Sequence, residues 1–129
     1  MYQLDEIRTT GKGFFYLASP YSLDGVATEE AKERRFASAV KCQAYLMENG
    51  VDVYSPIAHW HEAQKTMKKH DTKWWLAKCL PFLRDSEGLI VLMLPLWEVS
   101  AGVKWEIEFA QANGMSISYL PDNVWEESK

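Results

Sequence analysis

The sequence predicts a small doubly wound α/β fold: a parallel sheet of about four to five strands with helices on both faces. Three observations carry that expectation. Short apolar runs alternate with longer helical patterns along the chain. One run, Leu89-Ile90-Val91-Leu92-Met93-Leu94, is continuously apolar, as a central strand covered on both faces must be. The 129 residues, 47% hydrophobic and 25% charged, suffice for one ordinary core. They are expected to form one domain, 1–129, with its core at about 13–120 and polar termini.

The elements follow in order. Phe14-Phe15-Tyr16-Leu17-Ala18 reads as a buried strand that ends at Ser19-Pro20. A loop through Tyr21, Ser22, Asp24 and Gly25 leads to Thr28, which opens a helix with Glu29 and Glu30 in its first turn. Phe36, Val40, Ala44 and Met47 are spaced as one apolar stripe, and Asn49-Gly50 stops the helix. Val51-Asp52-Val53-Tyr54 is a second strand, broken by Ser55-Pro56. The polar stretch from His59 to His70 reads as helical, and Asp71 suits a cap. A further helix runs over 74–83, kinked or restarted at Pro81. After the third strand and Pro95, Ser100 caps a helix over 101–113 with Val103, Ile107 and Ala110 inward, and Gly114 closes it. Residues 115–120 alternate as the last strand.

Helices between apolar strands imply parallel βαβ units, as in flavodoxin-like and Rossmann-like sheets. Ligands of such sheets bind beyond the carboxyl ends of the strands. Those ends are Ser19-Pro20-Tyr21, Ser55-Pro56-Ile57 and the segment 95–100.

Composition narrows the partners. With 14 Lys+Arg against 18 Asp+Glu, the net charge of -4 argues against binding a nucleic-acid polymer. It leaves room for a small anion at a helix N-terminus. Two cysteines far apart, Cys42 and Cys79, form no disulfide framework and point to a reducing, cytoplasmic setting. Residues 1–12 lack an apolar core of the signal-peptide kind, and no apolar run is long enough to span a bilayer. His59 and His61 point about 200° apart on a helix, so no metal site is expected from them. His59, just past the second strand end, can still line a pocket.

The segment richest in chemistry is 94–110. Glu98 and Ser100 stand on the loop, and Glu106 lies inside the helix beside the Val103 and Ile107 stripe. A helical side chain covers the turn N-terminal to its own position, and there the sequence has Gly102. The missing side chain leaves space beside the carboxylate. Glycine inside a helix costs ~1 kcal/mol, so it calls for a packing or functional reason. A carboxylate at the core's edge with room beside it suits a nucleophile or general base; a salt bridge to Lys104 is the plain alternative. Glu108 points away and is expected in solvent.

Phe15-Tyr16-Leu17-Ala18-Ser19-Pro20-Tyr21, the helix with Arg34 and Arg35, Val53-Tyr54-Ser55-Pro56, and Trp97-Glu98-x-Ser100-x-Gly102-Val103-x-x-Glu106-Ile107 occur in one order and spacing. They resemble the nucleoside 2-deoxyribosyltransferase-like superfamily, nearest its small bacterial and phage branches. That superfamily includes nucleoside 5′-monophosphate N-glycosidases. The resemblance implies cleavage or transfer at an N-glycosidic bond of a nucleoside or its 5′-monophosphate. It also implies Glu106 as nucleophile, Tyr21 in the site and Ser100 on the 5′-phosphate. Ser19, Glu98, Gly102 and His59 complete the expected pocket, with no metal and no cofactor. Relatives tend to complete their sites with a neighbouring subunit, which implies a homodimer or higher homo-oligomer. Two departures stand out. Family enzymes commonly carry an aspartate eight residues before the acid that opens the third strand. Here that position is Cys79, counted from Glu87. Either the register differs or the role is lost, with Asp85 and Asp71 the carboxylates nearby. Leu96 stands where related small proteins often have glycine. The alternative reading is a nucleotide-binding module without catalysis on the same fold.

Overall fold

The computed structural model describes residues 13–23 and 25–126. The expectations for residues 1–12 and for Asp24 fall outside them. Four strands form one parallel sheet in the order β2-β1-β3-β4: β1 Phe15–Ala18, β2 Val53–Tyr54, β3 Gly88–Met93 and β4 Ser116–Pro121. The doubly wound parallel fold is therefore present, with four strands. In register, Tyr16 lies opposite Tyr54 on one side and Leu89 on the other.

Two apolar layers flank the sheet, because successive strand residues point to opposite faces. Phe15, Leu17, Ile90, Leu92 and Leu120 pack against Cys42 and Leu46 of α1, Glu29–Glu48. Tyr16, Ala18, Leu89 and Val91 pack against Cys79 and Leu83 of α3, Thr72–Asp85, and Val103 and Ala110 of α4, Ala101–Ala112. The remaining helix, α2, covers Pro56–Gln64.

Capping chemistry sets the helix starts. Thr28, Ser55, Asp71 and Ser100 each accept a backbone N–H three residues on, from Ala31, Ala58, Trp74 and Val103. Pro56 occupies the first turn of α2, where its missing N–H costs nothing.

Three expectations need correction. The buried stripe of α1 is Ala31, Ala39, Cys42 and Leu46, whereas Val40 and Met47 are 40% and 58% exposed. The inward positions are small, which lets the helix lie close on the sheet. The helical stretch expected over 59–70 begins at Pro56 and ends at Gln64, since Ser55 supplies the cap. α3 runs through Pro81 as one helix rather than restarting there.

Candidate functional site

Glu106 is 6% exposed on α4, and the Tyr16 hydroxyl donates to its Oε2. Tyr16 comes from the middle of β1 and is fully buried. Burial pushes the Glu106 carboxyl up to about 8, and the Tyr16 hydrogen bond opposes that shift. Burial, then the Glu106 charge, raises the Tyr16 phenol well above its ordinary value. Cys79 of α3 bears on the same hydroxyl, and burial raises its thiol to about 12. The thiol therefore lies close to Tyr16 and Glu106. The nearby carboxylates are engaged elsewhere: Asp71 caps α3, and Asp85 is exposed beside Arg84.

The N-terminal turn of α4 adjoins this pair. Ser100 is buried and its Oγ accepts the Val103 N–H at 3.3 Å, which leaves its own proton to donate. A Cβ built at Gly102 would meet only Ser100 Oγ, at 3.9 Å. The turn beside Glu106 is thus open. Leu96 takes the left-handed backbone at φ 74, and its side chain is 52% exposed. The glycine-like backbone is retained, and the leucine side chain turns outward.

The other expected residues lie around different centres. Tyr21, in the loop after β1, places its hydroxyl 2.5 Å from His61 Nδ1. His61 Nε2 lies 2.9 Å from Glu33, which also holds Lys65 at 2.8 Å. Which of the Tyr21 hydroxyl and Nδ1 donates follows from the tautomer of the His61 ring. Arg35 fixes the same loop by donating to the Tyr21 carbonyl at 2.6 Å. Burial, with Glu29 and Glu33 adding, lifts the Tyr21 phenol to about 12. The phenol bonded to Glu106 is therefore Tyr16, and Tyr21 belongs to a network on α1 and α2. Glu98 is exposed in a single 3₁₀ turn, Trp97–Val99. His59 is exposed and rests against Tyr54 and Phe82. The hydroxyl of Ser19 is buried just past the end of β1, without a hydrogen-bond partner among the described residues.

Tyr16, Tyr54 and His61 were not among the expected site residues. A phenol in an otherwise apolar strand was the available signal for Tyr16, because a buried hydroxyl requires a partner. His61 offered none beyond its helical phase, which sends it inward, 2% exposed, while His59 faces out.

A doubly wound α/β sheet with a buried, phenol-held glutamate beside an open helix turn defines the class. Residues 13–121 match the model of the family described as Domain of unknown function (DUF1937), and the chain belongs to that family. No curated protein matches the chain. Among the described residues, no helix is long and apolar enough to cross a membrane.

Proposed function

We propose that the protein cleaves or exchanges the N-glycosidic bond of a nucleoside or nucleoside 5′-monophosphate. The observation that carries this reading is the Glu106 carboxyl, buried and hydrogen-bonded by Tyr16 next to the open turn at Gly102. The resemblance to nucleoside 2-deoxyribosyltransferase-like proteins supplies the reaction class. Ionised Glu106 attacks C1′, and the bond from C1′ to the base nitrogen breaks. Its electron pair leaves with the base, which takes up a proton. Water or a second base then opens the glycosyl ester, with retention overall. Tyr16 orients the attacking carboxylate, and its hydrogen bond favours the charged form. The Ser100 hydroxyl and the free N–H groups at the start of α4 suit a 5′-phosphate.

The test is base release from a panel of nucleosides and 5′-monophosphates. Glu106→Ala should lower the rate by several orders of magnitude, as loss of a nucleophile does elsewhere. A variant that keeps more than about a tenth of the parent rate, under ~1.4 kcal/mol in barrier, excludes Glu106 as nucleophile.

A second reading, a nucleotide-binding module without catalysis, is favoured by Cys79. A thiol lifted to about 12 is neutral at physiological pH, so it replaces no carboxylate charge. Calorimetric binding of the same panel without base release would establish it.

A further inference from the structure

Tyr54 combines several features that the Glu106–Tyr16 pair does not account for. The β1–β2 register sets it beside Tyr16, so both side chains rise on the same sheet face, with ring centroids 5.9 Å apart. Its hydroxyl is buried and has no hydrogen-bond partner among the described residues. The Cys79 thiol, which also bears on Tyr16, is near enough to influence that phenol. On its outer side the ring stacks on Phe82 at 4.1 Å, nearly parallel. It also lines two cavities along β2, of about 300 and 340 Å³, the second shared with Gln43, Ser55 and His59. Tyr54 thus stands between the open space along β2 and the buried Tyr16–Cys79–Glu106 cluster.

A buried tyrosine normally satisfies its hydroxyl, and phenylalanine would supply the same ring without that burden. We propose that Tyr54 is a ligand-contacting residue of the Glu106 site, its hydroxyl making a hydrogen bond to a neutral polar atom of a bound nucleoside. The inference rests on the N-glycosidic reading and deepens it. It assigns the β2 side of the site to substrate binding, which ties His59, Phe82 and the adjoining cavity to the approach path.

The experiment compares the parent with Tyr54→Phe in two measurements. The first is the melting temperature without ligand. The second is calorimetric binding of the 2′-deoxynucleosides and their 5′-monophosphates, which needs no turnover. A hydroxyl kept for a ligand makes no bond in the free protein, so Tyr54→Phe should melt no lower than the parent. Its binding of the accepted ligand should weaken by about 3- to 10-fold, the range for one neutral hydrogen bond. Unchanged binding overturns the inference and leaves the N-glycosidic reading standing. A melting temperature several degrees lower also overturns it, because the phenol then had a partner inside the folded chain. If the parent binds no member of the panel, the N-glycosidic reading falls and this inference with it.

Discussion

Glu106 links burial to both chemistry and stability. Its carboxyl ordinarily titrates near 4.5, and in the folded chain it titrates near 8. Between those values the folded state holds a proton that the unfolded state has lost, so stability falls as pH rises. The contribution is complete below about 4.5 and is lost as pH passes 8. Each pH unit inside the window removes up to about 1.4 kcal/mol. Urea midpoints at pH 5.5 and 7.5 check this: the parent should lose more stability over that interval than Glu106→Gln, which cannot titrate. Equal losses in the two proteins would mean that the carboxyl titrates normally. Activity should run the other way, because attack requires the ionised form, and base release should climb as pH rises toward 8. Of the candidate site, helical spacing makes Glu106 and Gly102 legible, and Ser100 joins them through the family resemblance. Tyr16 was hidden, since a tyrosine inside an apolar strand looks like core until its hydroxyl partner, 90 residues away in sequence, is known. Tyr21 presents the converse case. It stands at a strand end where ligands bind, and only the fold reveals that His61 engages it.

At the scale of elements, α3 carries a strained choice. Pro81 lies inside Thr72–Asp85 and is exposed. It removes one i→i−4 hydrogen bond and crowds the preceding turn, at a cost of ~3 kcal/mol in an unconstrained helix. Alanine restores the bond but gives back unfolded-state freedom of about 0.4–1 kcal/mol. Pro81→Ala should therefore stabilise the protein by about 2–2.6 kcal/mol, read as a higher urea midpoint at unchanged slope. A lower midpoint would show that α3 depends on the proline. The strands and three of the helix caps were legible because they rest on local chemistry: the apolar run of β3, and the side-chain oxygens of Thr28, Asp71 and Ser100; Ser55 was read only as the end of β2. The buried face of α1 was not. Phe36, Val40, Ala44 and Met47 recur at helical spacing, but so do Ala39, Cys42 and Leu46 one step round the helix. Hydropathy favours the larger set, whereas close packing on a sheet favours the smaller one. β2 shrinks to two paired residues because it lies at the sheet edge and pairs with β1 alone.

For the whole molecule, the open question is what covers the β2 side. The tryptophans between the strands do not stand free. Trp60 packs on Trp75 at 5.1 Å, Trp75 on Trp74 at 4.9 Å, and His70 stacks on Trp74 at 3.6 Å. The exposed apolar surface that matters is elsewhere. Val40 and Met47 face outward from α1, and Phe82 is partly exposed on α3. Met47 and Phe82 line the cavity of about 300 Å³ along the edge strand, together with Phe14 and Val53. Exposed apolar patches of this kind mark association sites. The expected outcome is self-association through the outer face of α1, which leaves the β2 cavity beside Ser55 and His59 open to ligand: light scattering at micromolar concentration should return at least twice the monomer mass of 14.9 kDa. Placing charges there with Val40→Glu and Met47→Glu together should shift the protein to monomer. The fold should survive, because exposed substitutions cost within about ±0.5 kcal/mol each. Two results decide against this. A parent that scatters as a monomer removes the dimer itself. A double variant that stays associated moves the interface to another face.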